Sequence, residues 1–293
     1  MRKIKITTDS ASDISIEAEQ KLNIGMLNFM VTMNDTNYIS RVDFDNKKFY
    51  EMLANYDGLP THSQITPFQF QEYYQSIVEE GYDDLILVLI NKEGSATYSN
   101  AEYAKILFFE ENPDLVGKFE IYLVDSRGYT GMYGEPVEEA AQMIIDGKDA
   151  KSIYEYLVEK INKRMIYFGM YTLKYAGKSG RIPSAAAFVG DVLGIKPIMK
   201  IWDHKIDTAK KVRGPRFMQS IVDLSCNDME PGSSYSLVYG DNEENLSEMV
   251  IAMTKKLGYG PKKCYQIGAA ISINAGPKVI GVIFDAKEEA RHY

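Results

Sequence analysis

The sequence predicts an α/β protein of two lobes, an N-terminal three-layer α/β/α lobe on a parallel sheet and a smaller α/β C-terminal lobe. Three observations carry this. Short apolar runs rich in β-branched and aromatic residues alternate with helix-length stretches through the first half, the order that a parallel sheet covered on both faces requires. The helix-length stretches carry their own punctuation, clearest where Pro67 opens one and Gly81 follows its end. The chain has 293 residues, above the length at which a single core usually splits.

Strand-length runs fall at 4–7, 85–90 and 119–124, and helices are expected between them at 67–80, 98–110 and 131–146. A polar amphipathic stretch at 150–164 then leads into a new apolar strand at 165–172. The lobe boundary is therefore placed near residue 160, with 1–160 as the N-terminal lobe and 161–293 as the C-terminal lobe. Beyond it come a Gly/Lys-rich turn at 176–181, a small-residue helix at 184–193 and a strand at 197–202. A helix at 215–228, a strand at 235–239, a helix at 243–256 and strands at 265–270 and 279–284 complete the second lobe.

Composition narrows the function. Apolar residues make up 45% and charged residues 25%, an ordinary globular balance, and the formal net charge is -8 with no Lys/Arg run to offset it. Phosphate backbones and anionic bilayers both need concentrated basic surface, so neither nucleic acid nor a membrane surface is an expected partner. The N-terminus turns polar within a few residues and no window approaches the roughly 20 apolar residues of a membrane span. Stable membrane insertion is not expected. Two cysteines, Cys226 and Cys264, give neither a disulfide framework nor metal-pair spacing, which suits a reducing cytoplasm. Tyr (21) and Met (14) are plentiful against one Trp. Such residues can line an adaptable apolar cavity, although core packing accounts for them as well.

Five loops carry polar chemistry where strands end or helices begin. Thr8-Asp9-Ser10-Ala11-Ser12-Asp13 reads as a helix cap or as a hydroxyl cluster at a ligand mouth. Thr61, His62 and Ser63 precede a helix N-terminus, where free N–H groups favour an anion. The segment 94–98 offers small residues that a ligand can approach closely. The segment 124–134 is Gly-spaced but does not match the dinucleotide fingerprint. In 172–182, Gly177-Lys178-Ser179 looks like the end of a phosphate loop whose first glycine is replaced by Thr172. There is no nucleophile-elbow or zinc-protease motif, and His62, His204 and His292 are the only histidines. No cofactor, metal site or catalytic residue is expected.

Taken in order, these loops resemble the DegV family, fatty-acid-binding proteins of bacterial fatty acid kinase systems, along almost the whole chain. Thr8–Asp13 is similar to its T-D-S-x-S-D opening, residues 63–67 to S-Q-P-S-P and residues 95–98 to S-G-T-Y. Val124-Asp125-Ser126, Gly180-Arg181-Ile182 and Ile195-Lys196-Pro197-Ile198 match V-D-S, G-R-I and I-K-P-I, and Gly276-Pro277 stands where the family has G-P-G. The resemblance implies a two-lobe DegV-like fold, with a mixed sheet in the second lobe and one long-chain fatty acid threaded into an apolar tunnel. It implies a carboxylate held by hydroxyls at the lobe interface, where Ser95 matches the family's carboxylate-contacting Ser. His62 with Thr61 and Ser63, from the helix-mouth loop, and Asn274, at the family's His position, are this chain's own candidates for the same site. It also implies no catalysis by this chain, but a separate kinase subunit of the dihydroxyacetone-kinase-like type that phosphorylates the bound carboxylate and meets Arg181. The departures fall at the head group. His62 stands where the family usually has Thr, Asn274 where it commonly has His, Ile65 replaces a Pro and Lys278 the last Gly. They keep open a different head group on a lipid that is not a fatty acid. The competing readings are a small-molecule kinase or hydrolase using Asp9, Asp125 and His62, and an interaction module with an empty cavity.

Overall fold

The computed structural model describes residues 2–182 and 194–292. Its first sheet is four-stranded and parallel, in the order β2-β1-β6-β7, with β1 (Ile4–Asp9), β2 (Gly25–Leu27), β6 (Asp84–Leu89) and β7 (Glu120–Asp125). Every residue of β6 is buried, as a central strand covered on both faces must be. Alternation decides which cover each residue meets. Leu85, Leu87 and Leu89 pack under α3 (Pro67–Glu79) and α4 (Thr97–Glu111), while Ile86 and Val88 face α5 (Gly131–Ile145) and α6 (Ala150–Lys163). Pro67 does open α3, behind a capping box between Thr66 and Gln69, and Gly81 follows at φ 75°.

The second sheet is mixed, in the order β10-β9-β8-β13-β11-β12. Its members are β8 (Arg164–Met170), β9 (Ile195–Trp202), β10 (Lys205–Arg213), β11 (Tyr235–Tyr239), β12 (Lys263–Gln266) and β13 (Val279–Asp285). Only the β11/β12 pair is parallel. Helices α8 (Phe217–Asp228) and α9 (Glu243–Leu257) cover one face, burying Met165, Tyr167, Leu237, Val282 and Phe284. The other face, with Ile166, Phe168, Met170 and Ile283, turns toward Met132 of α5 in the first lobe.

Several elements differ from the sequence expectation. Pairing along 265–270 stops at Gln266, and Ala269–Ala275 is a helix, α10. Gly268 caps it while donating its N–H to Asp13 Oδ1 at 2.8 Å, so a contact from the other lobe and an Ala-rich run override strand pairing. The Gly/Lys-rich turn contains a short helix, α7 (Ala176–Ser179), ended by Gly180 in the left-handed region. The expected helix at 184–193 lies outside the described residues. A small sheet, β4 (Thr36–Ile39), β3 (Met30–Met33) and β5 (Thr61–Ser63), and helices α1 (Ile16–Lys21) and α2 (Asn46–Ala54) were not anticipated. Strands of three or four residues are too short to show a period.

A buried ion network joins the lobes. Arg164, 1% exposed, places Nη2 2.6 Å from Glu135 Oε2 of α5 and Nη1 3.3 Å from Asp285. Ser236 of β11 donates to the same Glu135 oxygen at 2.7 Å. Burial alone would raise the Glu135 pKa, but Arg164, Ser236 and Lys262 outweigh it and hold the carboxyl at about 2.

Candidate functional site

Between the lobes lies a narrow apolar cavity. Its floor is the inner face of the six-stranded sheet. Strand register aligns Ile206, Ile201 and Ile166 across β10, β9 and β8, with Phe168 one pleat along. Val238 and Val279 continue the floor, and Ile267, Ala270, Ile271 and Ala275 close it from the segment around α10. The lining is rich in isoleucine, with Tyr129 and no Met among the described lining residues, in line with the core-packing reading of the composition. Met132, Met170 and Met199 lie in the adjoining core, because β-branched side chains suit the sheet face itself.

The polar lining comes from loop ends. Gly94, Ser95, Tyr129, Arg181 and Ile206 line both the cavity and a polar groove outside it, and so form the rim. A Cβ at Gly94 would overlap the Tyr129 hydroxyl, so only glycine lets the two loops close here. Ser95 sits just ahead of α4, whose N-cap, Ala96, has no side-chain cap. Its Oγ lies 2.9 Å from Thr97 Oγ1. The positive end of that helix favours an anion at this position.

His62 and Asn274 meet across the cleft. Asn274 Nδ2 donates to the Ala270 carbonyl at 2.9 Å, which sets the amide orientation, and lies 3.1 Å from His62 Nε2. Nε2 is then the acceptor, and a neutral ring carries its proton on Nδ1. Nδ1 is buried with no hydrogen-bond partner among the described residues. Burial, and secondarily Arg181, hold the His62 pKa below its ordinary 6.5, so the ring offers a neutral N–H donor at neutral pH.

The other expected site residues are placed as follows. Thr61 and Ser63 are exposed on either side of half-buried His62. They do not line the cavity, because alternation along β5 turns them away when it turns His62 in. Arg181 is exposed and stands on the rim. The 8–13 loop works as a cap: Asp9 accepts from Ala11 N–H at 3.0 Å, Ile90 N–H at 2.7 Å and the Tyr133 hydroxyl at 2.6 Å. Burial still raises the Asp9 pKa to about 6. With both oxygens engaged and 0% exposure, Asp9 is no candidate base. Tyr129, Ile206 and Asn91 went unrecognised. Tyr129 lay in a quoted loop without a motif of its own, and Ile206 lay in a strand that the polar sequence of β10 concealed.

Comparison with known proteins agrees with this architecture. A family model described as "Uncharacterised protein, DegV family" matches residues 3–287. This chain belongs to the DegV family. Among DegV-domain relatives, one from Clostridium perfringens is 34% identical over 297 residues, covering 98% of this chain and all of the relative. Another, from Caldanaerobacter subterraneus subsp. tengcongensis, is 29% identical over 294 residues, with 98% and 100% covered. Among solved structures, a stearic acid-binding protein from Eubacterium ventriosum superposes with a TM-score of 0.85 at 24% identity, covering 96% of this chain and 97% of that one. A fatty-acid-binding DegV protein from Thermus thermophilus gives 0.83 at 21%, with 98% and 100% covered. At these identities the likeness establishes the two-lobe DegV fold. Within that fold, His62 and Asn274, two positions at which the sequence departs from the family motifs, are hydrogen-bond neighbours.

Proposed function

We propose that this DegV chain carries one long-chain fatty acid in the cytoplasm and presents its carboxylate to a dihydroxyacetone-kinase-like subunit for acyl-phosphate formation. The boundary near residue 160 then separates the part that mainly orients the head group from the part that buries the tail. One observation supports this most: the apolar cavity is lined by His62, whose buried Nδ1 has no hydrogen-bond partner among the described residues, and also by Ser95 and Arg181. A wholly apolar ligand would leave that donor unpaired, at a cost of about 1–3 kcal/mol. A carboxylate matches both the neutral donors and the cation. Each methylene buried on the isoleucine floor contributes roughly 0.8 kcal/mol, so a dozen supply about 10 kcal/mol toward the cost of ordering ligand and rim.

The test is reconstitution. The lipid-loaded chain, ATP and a purified kinase subunit of that type should yield an acyl phosphate that hydroxylamine traps, and neither protein alone should. Trapped product without the chain, or none with it, would contradict the presenting role.

A further inference from the structure

We infer that the β9–β10 hairpin is the latch of the acyl cavity, held shut by the side-chain amide of Asn91. This rests on the carrier reading above. The hairpin turns at Asp203 and His204, both left-handed, at φ 43° and 74°. Its strands supply Ile201 and Ile206 to the cavity, and Ile206 stands on the rim. The tip reaches over to the other lobe. His204 N–H donates to the Arg127 carbonyl at 3.0 Å. Asn91 Nδ2 donates to the His204 carbonyl at 2.8 Å, and Asn91 Oδ1 accepts from His204 Nδ1 at 2.8 Å. Arg127 Nη1 pairs with Asp203 Oδ1 at 2.8 Å.

Asn91 is 1% exposed, and its amide also donates to the Tyr129 hydroxyl at 3.1 Å. Tyr129 stands on the rim with Ile206, so one amide holds both sides of the opening. A tail entering between Ile206 and Tyr129 needs that clamp released. The hairpin is built to release. It is the edge of its sheet, and its ladder to β8 stops at Ile201, beyond which the described contacts of the tip across the cleft run to Asn91 and Arg127. The register shift between Thr208 and Lys210 supplies a bend point. The tip contacts described here are hydrogen bonds and a half-exposed ion pair, which water can replace.

The test compares wild type with Asn91→Ala and His204→Gly, using a fluorescent polyene fatty acid in stopped flow. Glycine suits the left-handed turn position, so His204→Gly decides the matter even if Asn91→Ala fails to fold. A latch predicts that uptake and release both accelerate, about tenfold, while Kd changes less than about threefold. Unchanged rates would overturn it, and so would faster release with unchanged uptake, which marks a mere wall contact. A wild-type chain that takes up no fatty acid overturns the carrier reading and the latch together. Wild-type uptake with unmoved variant rates overturns the latch alone.

Discussion

The two sides of the interlobe cavity are built on different terms. The second lobe offers a strand face, where Ile166, Phe168, Ile201, Ile206, Val238 and Val279 repeat at the spacing of the pleat. The first lobe offers chain ends: Ile90, Gly94 and Ser95 after β6, Tyr129 and Thr130 after β7, and His62 from a three-residue strand. A sheet face supplies area without direction, whereas loops beyond the carboxyl ends of parallel strands supply single, aimed polar atoms. Affinity for a tail should therefore come from one side, and orientation of a head from the other. Helix α10 contributes to both kinds of lining, with the apolar Ala270 and Ile271 and the polar Asn274.

The largest effect expected is on the joint between the sides. Glu135→Gln leaves Arg164 buried without its main counter-ion, and should cost about 3–5 kcal/mol in urea denaturation. The same pair sets an acid limit. The folded Glu135 pKa, about 2, lies below its ordinary 4.5, so its stabilisation is present above the ordinary value and is lost as pH falls toward 2. Wild type should lose more stability than Glu135→Gln across that interval, and parallel losses would mean the pair does not join the lobes.

Next in size is a charge on the apolar side. Ile206→Glu, at a partly exposed position, should weaken fatty-acid binding at least about a hundredfold with the fold intact. Retained affinity would show that the tail does not lie on the sheet face. Ser95→Ala probes the polar side. It should weaken binding about tenfold, by the same factor for long and short acyl chains. A penalty that grows with chain length would place Ser95 along the tail instead.

The smallest effect, and the most specific, belongs to His62. Its pKa in the free chain is lowered, and a carboxylate beside it raises the pKa in the complex. Because the bound value exceeds the free value, protonation favours the complex. That added affinity is complete below the free-chain pKa and disappears as pH rises through the bound pKa. His62→Gln keeps a neutral donor without the titration. It should bind a few-fold more weakly than wild type in mildly acidic buffer, where the lipid acid remains ionised, and converge with it in alkaline buffer. Superimposed pH profiles would make His62 a bystander.

Much of the fold was legible because it rests on long periodic elements. β1, β6 and β7 and the helices α3 and α4 announce themselves by apolar runs and by caps such as Thr66-Pro67. The mixed sheet was less so. β10 reads as polar because it is an edge strand carrying Lys205, Lys210 and Lys211, the composition by which edges avoid further pairing. Its turn, Asp203-His204, lacks the Asn-Gly signature that usually marks such hairpins. At the site, the sequence order of motifs pointed to His62, Ser95 and Asn274, and all three line the cavity. Thr61 and Ser63 do not, because a segment quoted as a run of donors is a strand, and a strand shows one side at a time. The contact between positions 62 and 274 joins residues 212 apart, and no local pattern encodes it.

The central claim, that this chain is a lipid carrier, is tested most directly by native mass spectrometry of the protein purified without added lipid. The account predicts a folded chain heavier by one fatty acid, which denaturation releases and solvent extraction identifies, and an unliganded Ile206→Glu variant. A wild-type chain that emerges at its bare mass, and still binds none when long-chain fatty acid is offered, would contradict it.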